Sequence, residues 1–136
     1  MRNIIRYLLL LILLAVSTQA YCQYMYDRSG AVIGRYENGK IYDRSGSYKG
    51  KIESGRFYNR STLYIGHENG GRFYDRSGSN VGYTSAGRYY DRSGSYVGHI
   101  RGNYVYDRAG MCIGRVNNVP EKIAALVFFY GFFLKD

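Results

Sequence analysis

From residue 24 to residue 119 apolar and polar positions alternate in a fixed phase. An apolar residue stands directly before a tyrosine at Met25, Ile41, Phe57, Phe73, Tyr89 and Val105. Seven residues after that tyrosine comes a β-branched residue in five cases, Ile33, Ile65, Val81, Val97 and Ile113, with Lys49 as the exception. The flanking positions are polar or long-chained. A period of two is the mark of half-buried strands, and the pattern predicts pairs of short strands throughout this stretch.

Between the strands of each pair lies one motif. Tyr-Asp-Arg-Ser-Gly begins at Tyr26, Tyr42, Tyr74 and Tyr90, with the variants Tyr-Asn-Arg-Ser-Thr at Tyr58 and Tyr-Asp-Arg-Ala-Gly at Tyr106. The spacing is 16 residues every time, so six units tile residues 24–119. Three positions never vary: the tyrosine (Tyr26, Tyr42, Tyr58, Tyr74, Tyr90, Tyr106), the arginine (Arg28, Arg44, Arg60, Arg76, Arg92, Arg108) and a glycine (Gly34, Gly50, Gly66, Gly82, Gly98, Gly114). These are the repeat-defining turn and core residues. Asp-Arg-Ser-Gly suits a type I turn closed by a glycine bulge, with aspartate capping the turn and glycine at positive φ. Thr62 replaces that glycine in the third unit, so this turn must differ or carry strain. Asn38-Gly39 and Gly102-Asn103 mark the second kind of turn.

A hairpin of this size cannot bury a core alone, so repetition must supply one. No capping unit is evident, and closure removes exposed strand edges. The expected fold is all-β: a closed toroid of 16-residue hairpins with five-fold or six-fold pseudo-symmetry. The tandem Tyr-Asp-Arg-Ser-Gly hairpins, followed by an apolar tail, resemble the bacterial β-flower proteins, in which hairpin petals surround a pseudo-symmetry axis. The resemblance covers residues 24 to about 134. It implies a β-rich toroid and no established activity.

The two ends read differently. Residues 1–20 have the layout of a secretory signal peptide: Arg2 and Arg6, an apolar run from Leu8 to Val16, and small residues at Thr18 and Ala20. The expected location is therefore the periplasm, the outer-membrane surface or the extracellular space. Residues 21–119 form the repeat domain and 120–136 an apolar C-terminal segment. Asn118 to Glu121 resembles a capping box, followed by a charge-free run, Ile123 to Leu134. As a short helix it falls well below the ~30 Å of a bilayer core. Ile123, Leu126, Val127, Phe128, Phe129, Phe132 and Phe133 are expected to plug the ring, with a membrane-surface or partner contact as the alternative. Cys22 and Cys112 form a disulfide in an oxidising compartment or remain thiols; both readings stay open.

Composition narrows the chemistry. The formal charge of +9 falls to +7 once Arg2 and Arg6 leave with the leader. His67 and His99 occupy the same variable slot of their units, without further ligands at metal-binding spacing. The motif serines have no histidine partner in the pattern. No catalytic residue, metal site or cofactor is expected, and the chain is not read as an enzyme. Each aspartate is expected to cap its own turn. The arginines either pair with carboxylates of neighbouring units in a ring-wide ladder or form an arginine ring for an anionic ligand. The tyrosines either fill the core or offer a platform for sugars. The expected function is an exported, non-enzymatic structural or interaction module for envelope glycans or a protein partner. A membrane-associated protein anchored by its C-terminal segment is the alternative. Nucleic acid is not expected as a partner, and the oligomeric state is open.

Overall fold

A computed structural model describes residues 23–134. The expected signal peptide and Cys22 lie outside the described residues. Twelve strands follow in order: β1 (Tyr24–Asp27), β2 (Val32–Glu37), β3 (Lys40–Asp43), β4 (Tyr48–Glu53), β5 (Arg56–Asn59), β6 (Tyr64–Asn69), β7 (Arg72–Asp75), β8 (Asn80–Ser85), β9 (Arg88–Asp91), β10 (Tyr96–Arg101), β11 (Tyr104–Asp107) and β12 (Cys112–Val116). One helix, α1 (Glu121–Phe128), closes the order. Every strand pairs antiparallel with its neighbours in sequence, and β1 pairs with β12 to close a barrel. The seam is in register, with Met25 opposite Val116 and Tyr26 opposite Arg115. Of the two symmetries the repeat allowed, six-fold closure is the one formed.

The two kinds of turn lie at opposite ends of the ring. At the motif end each turn is a type I turn with a bulge. The Gly30 amide donates to the Asp27 carbonyl at 3.1 Å, and the register shifts between Met25 and Tyr26. The third unit keeps this form, with the Thr62 amide donating to the Asn59 carbonyl at 2.9 Å, but Thr62 must adopt φ +65°. A side chain is disfavoured there because Cβ crowds the following carbonyl. Thr62→Gly is therefore expected to stabilise the protein by about 1 kcal/mol. A higher urea midpoint at unchanged slope checks this, and an unmoved midpoint would mean that the turn carries no strain.

Alternation fixes which side chains face inward. Met25, Ile41, Phe57, Phe73, Tyr89 and Val105 are at most 1% exposed. The tyrosine after each therefore lies on the outer face, where all six are half-buried. The expectation that these tyrosines fill the core is corrected: in a strand of period two, one position is inside and the next is outside.

The barrel's interior is filled by the C-terminal segment. The chain leaves β12 at the short-turn end, and Lys122 pairs there with Glu68. Ile123, Ala124, Ala125 and Leu126 are buried in the same core as the strand residues. The capping box does not form. The helix starts at Glu121 with Pro120 as its N-cap and no side-chain cap, while Asn118 takes φ +55°. The helix also stops at Phe128, short of the expected Leu134. Six units around a ring are roughly 60° apart, whereas successive helical residues turn about 100°. An unwound chain matches the ring better, and Gly131 and Phe133, at φ +68° and +72°, unwind it.

Candidate functional site

The inner face is organised by the invariant glycine. All six lie buried opposite the tail. A Cβ built on Gly34 would meet Leu134, on Gly50 Phe133, on Gly66 Phe132, on Gly82 Tyr130, on Gly98 Phe129 and on Gly114 Phe128. The tail thus visits the six hairpins in reverse order of the chain, one side chain for each glycine, and passes over Gly131. Three of these glycines, Gly34, Gly82 and Gly114, have no left-handed φ, so space alone requires them. Phe57 meets Phe132 edge-on at 5.3 Å, and Tyr89 meets Phe129 at 5.2 Å. Tyr130 donates to the Tyr90 carbonyl at 2.9 Å, and burial pushes its phenol well above the ordinary range. Of the residues expected in the plug, Ile123 and Leu126 are buried, while Val127, Phe128, Phe129, Phe132 and Phe133 are half-buried against the core. Tyr130, Leu134 and the two alanines belong to the same filling. Their part was missed because only the ring supplies the six partners.

On the outer face each repeat tyrosine is covered by the residue across from it. Arg35 lies 4.1 Å over Tyr42 and Arg115 3.9 Å over Tyr26, with Lys51 5.3 Å over Tyr58. His67 stacks on Tyr74 at 4.6 Å, Tyr83 on Tyr90 at 4.8 Å and His99 on Tyr106 at 4.7 Å. Both histidines bond through Nδ1 to a tyrosine hydroxyl, Tyr64 at 2.5 Å and Tyr96 at 2.7 Å. Such pairs shield the sheet and contribute about 0.5–1.5 kcal/mol each. One ring face of every repeat tyrosine is therefore occupied within the chain.

The motif end carries the exposed chemistry. Asp27 Oδ1 accepts from the Ser29 amide at 2.9 Å, the Ser29 hydroxyl at 2.7 Å and the Ala31 amide at 3.0 Å. The same arrangement recurs at Asp43, Asp75 and Asp91. The serine hydroxyl and then the turn amides hold these carboxyls below the ordinary value of 3.8. The arginines beside them are all exposed. Among the described residues the ion pairs are Arg35 with Glu37, Lys51 with Glu53 and Lys122 with Glu68, and none involves a motif arginine. The expected ladder of Asp–Arg pairs is thus corrected. The carboxylates are turned to their own backbone, and Arg28, Arg44, Arg60, Arg76, Arg92 and Arg108 are exposed around one end of the ring, where Arg92 acts on Asp75 without forming an ion pair.

Cys112 begins β12 at this end and is exposed. Its thiol donates to the Gly114 carbonyl at 3.4 Å. Gln23, the first described residue, sits at the opposite end and donates to the Asn118 carbonyl at 2.6 Å.

A family model, that of the 5-fold beta-flower protein, matches residues 22–133. The chain belongs to the β-flower family. No curated protein and no solved structure matches it. The family is described as five-fold, and this β-flower closes with six hairpins. Five short turns join those hairpins, and the sixth junction is the seam between β1 and β12.

Proposed function

We propose that this β-flower is an exported, non-enzymatic binding module that takes an acidic envelope glycan on its motif end. One observation carries the reading. Six exposed guanidinium groups ring a single end, and the carboxylates beside them are engaged by their own turns. Guanidinium groups bind carboxylate and sulfate through paired hydrogen bonds, and a ring of them suits a polymer that repeats such groups. The leader pattern of residues 1–20 supports export. Among the described residues no helix is long and apolar enough to cross a membrane. The apolar tail that a membrane anchor would need has its side chains against the glycines of the ring, which favours the glycan over the lipid surface.

Replacing Arg28, Arg76, Arg92 and Arg108 together by glutamine tests the reading. Retention on an immobilised polyuronate is expected to fall at least about tenfold at low salt, with a flatter salt dependence. Retention on a neutral glucan is expected to be nil throughout. Equal retention by the variant and the unaltered chain would overturn the proposal. Recovery on anionic vesicles but not on the polyuronate would turn it toward the membrane.

A further inference from the structure

The ring is not uniform, and its departures from the repeat gather in one sector. Five units place Ile33, Ile65, Val81, Val97 or Ile113 at the inner rim, whereas the second places Lys49 there. Five units begin their turn with aspartate, whereas the third begins with Asn59. These two residues come from different hairpins, yet they line one open depression of about 400 Å³, together with Arg60, Ser61, Ile65 and Phe133. Both replacements shift the local charge in the positive direction. In the other sectors an aspartate sits beside its arginine. Here no carboxylate lines the depression, although Lys49 also lines a neighbouring one with Asp43 and helps to hold that carboxyl below its ordinary value.

The change of aspartate to asparagine also frees hydrogen-bond donors. Asn59 Oδ1 takes over the capping role, accepting from the Ser61 amide at 2.9 Å and the Leu63 amide at 3.1 Å. Its Nδ2 group is left to donate outward. In the sister turns the serine hydroxyl donates to the aspartate at 2.6–2.7 Å. Among the described residues Ser61 makes no such bond, so its hydroxyl is available. The depression therefore has an apolar floor, Ile65 and Phe133, and a wall of two cations, an amide and a hydroxyl. This is a donor-rich, cationic site over an apolar surface.

We propose that this depression is a subsite for one uronic acid residue. The carboxylate lies between Lys49 and Arg60, the hydroxyls meet Asn59 and Ser61, and the apolar sugar face rests on Ile65 and Phe133. The assignment rests on the acidic-glycan reading of the arginine ring and gives it a position. A ring of six like turns has no preferred point, and this sector supplies one.

The test uses substitutions that restore the repeat, so folding is protected by the sister units. Lys49→Ile and Asn59→Asp install residues that other units already carry. Binding of a galacturonate trisaccharide is read by NMR titration of the full chain. Each change is expected to weaken it about tenfold, Lys49→Ile by loss of a charge-assisted hydrogen bond and Asn59→Asp by placing a carboxylate near that of the ligand. Arg101→Gln, an exposed arginine at the opposite, short-turn end of the ring, is expected to leave trisaccharide binding unchanged. Equal affinity in the unaltered chain, Lys49→Ile and Asn59→Asp would overturn the subsite. Polyuronate retention without trisaccharide binding would also overturn it, and would leave the arginine ring standing. Trisaccharide binding that depends on Lys49, with polyuronate retention insensitive to the four-arginine variant, would do the reverse.

Discussion

A chain ending at Pro120 is expected to lose the closed ring altogether. The removed residues include Leu126, Ala124 and Ala125, all at most 1% exposed, and the six side chains that meet the six glycines. Replacing one core phenylalanine by alanine costs about 3–5 kcal/mol. Whole domains hold only about 5–15 kcal/mol. Even at half that cost for each half-buried ring, the loss from four phenylalanines, a tyrosine and a leucine exceeds what a domain of this size has. The expected result is an aggregated or non-cooperative chain, checked by thermal melting and solubility. A truncated protein with the same melting temperature would show that the tail is a lid and not the core.

Gly82→Ala is expected to destabilise by about 3 kcal/mol, whereas Gly78→Ala should cost about 1 kcal/mol. The two arise from different physics. Gly78 has φ +86° and open space around it, so only backbone conformation is at issue. Gly82 has an ordinary φ, but its Cβ would lie 2.5 Å from Tyr130 and closer still to the Tyr90 carbonyl. Adding Tyr130→Ala removes the first clash and leaves the second, so rescue is expected to be partial. Urea denaturation of the three variants distinguishes the terms. Equal cost at Gly78 and Gly82 would mean that the tail yields without penalty.

Much of this was legible in the chain. The period of two placed the strands, the 16-residue spacing placed the turns, and the aspartate caps followed from turn chemistry. The inward position of Met25 and its five equivalents was legible too. It already implied an outward tyrosine, and the attraction of a large residue for the core obscured that. The glycine at Gly34 and its equivalents reads in sequence only as a position where a side chain is refused. What refuses it is partly the carbonyl of the next strand and partly a tail residue, which lies as far away as Leu134 is from Gly34, in an order reversed against the repeat. Lys49 and Asn59 were visible as departures, and they stand in different repeat units on the paired strands β4 and β5, where Gly50 lies opposite Asn59. The short turn between those strands brings the two positions together, but the open depression they line needs Phe133 from the tail as well.

The sequence by itself determined the hairpin, its six copies, its turns and the side of the strand on which each residue lies, because those depend on contacts within about 16 residues. Only the tertiary structure decided that six units close, that the helix stops at Phe128 to let the tail unwind among the glycines, and that among the described residues the motif arginines form no ion pair. Those outcomes depend on ring geometry, where the 60° between units competes with the helix, and on short-range competition, where each aspartate reaches its own turn amides before any neighbouring guanidinium.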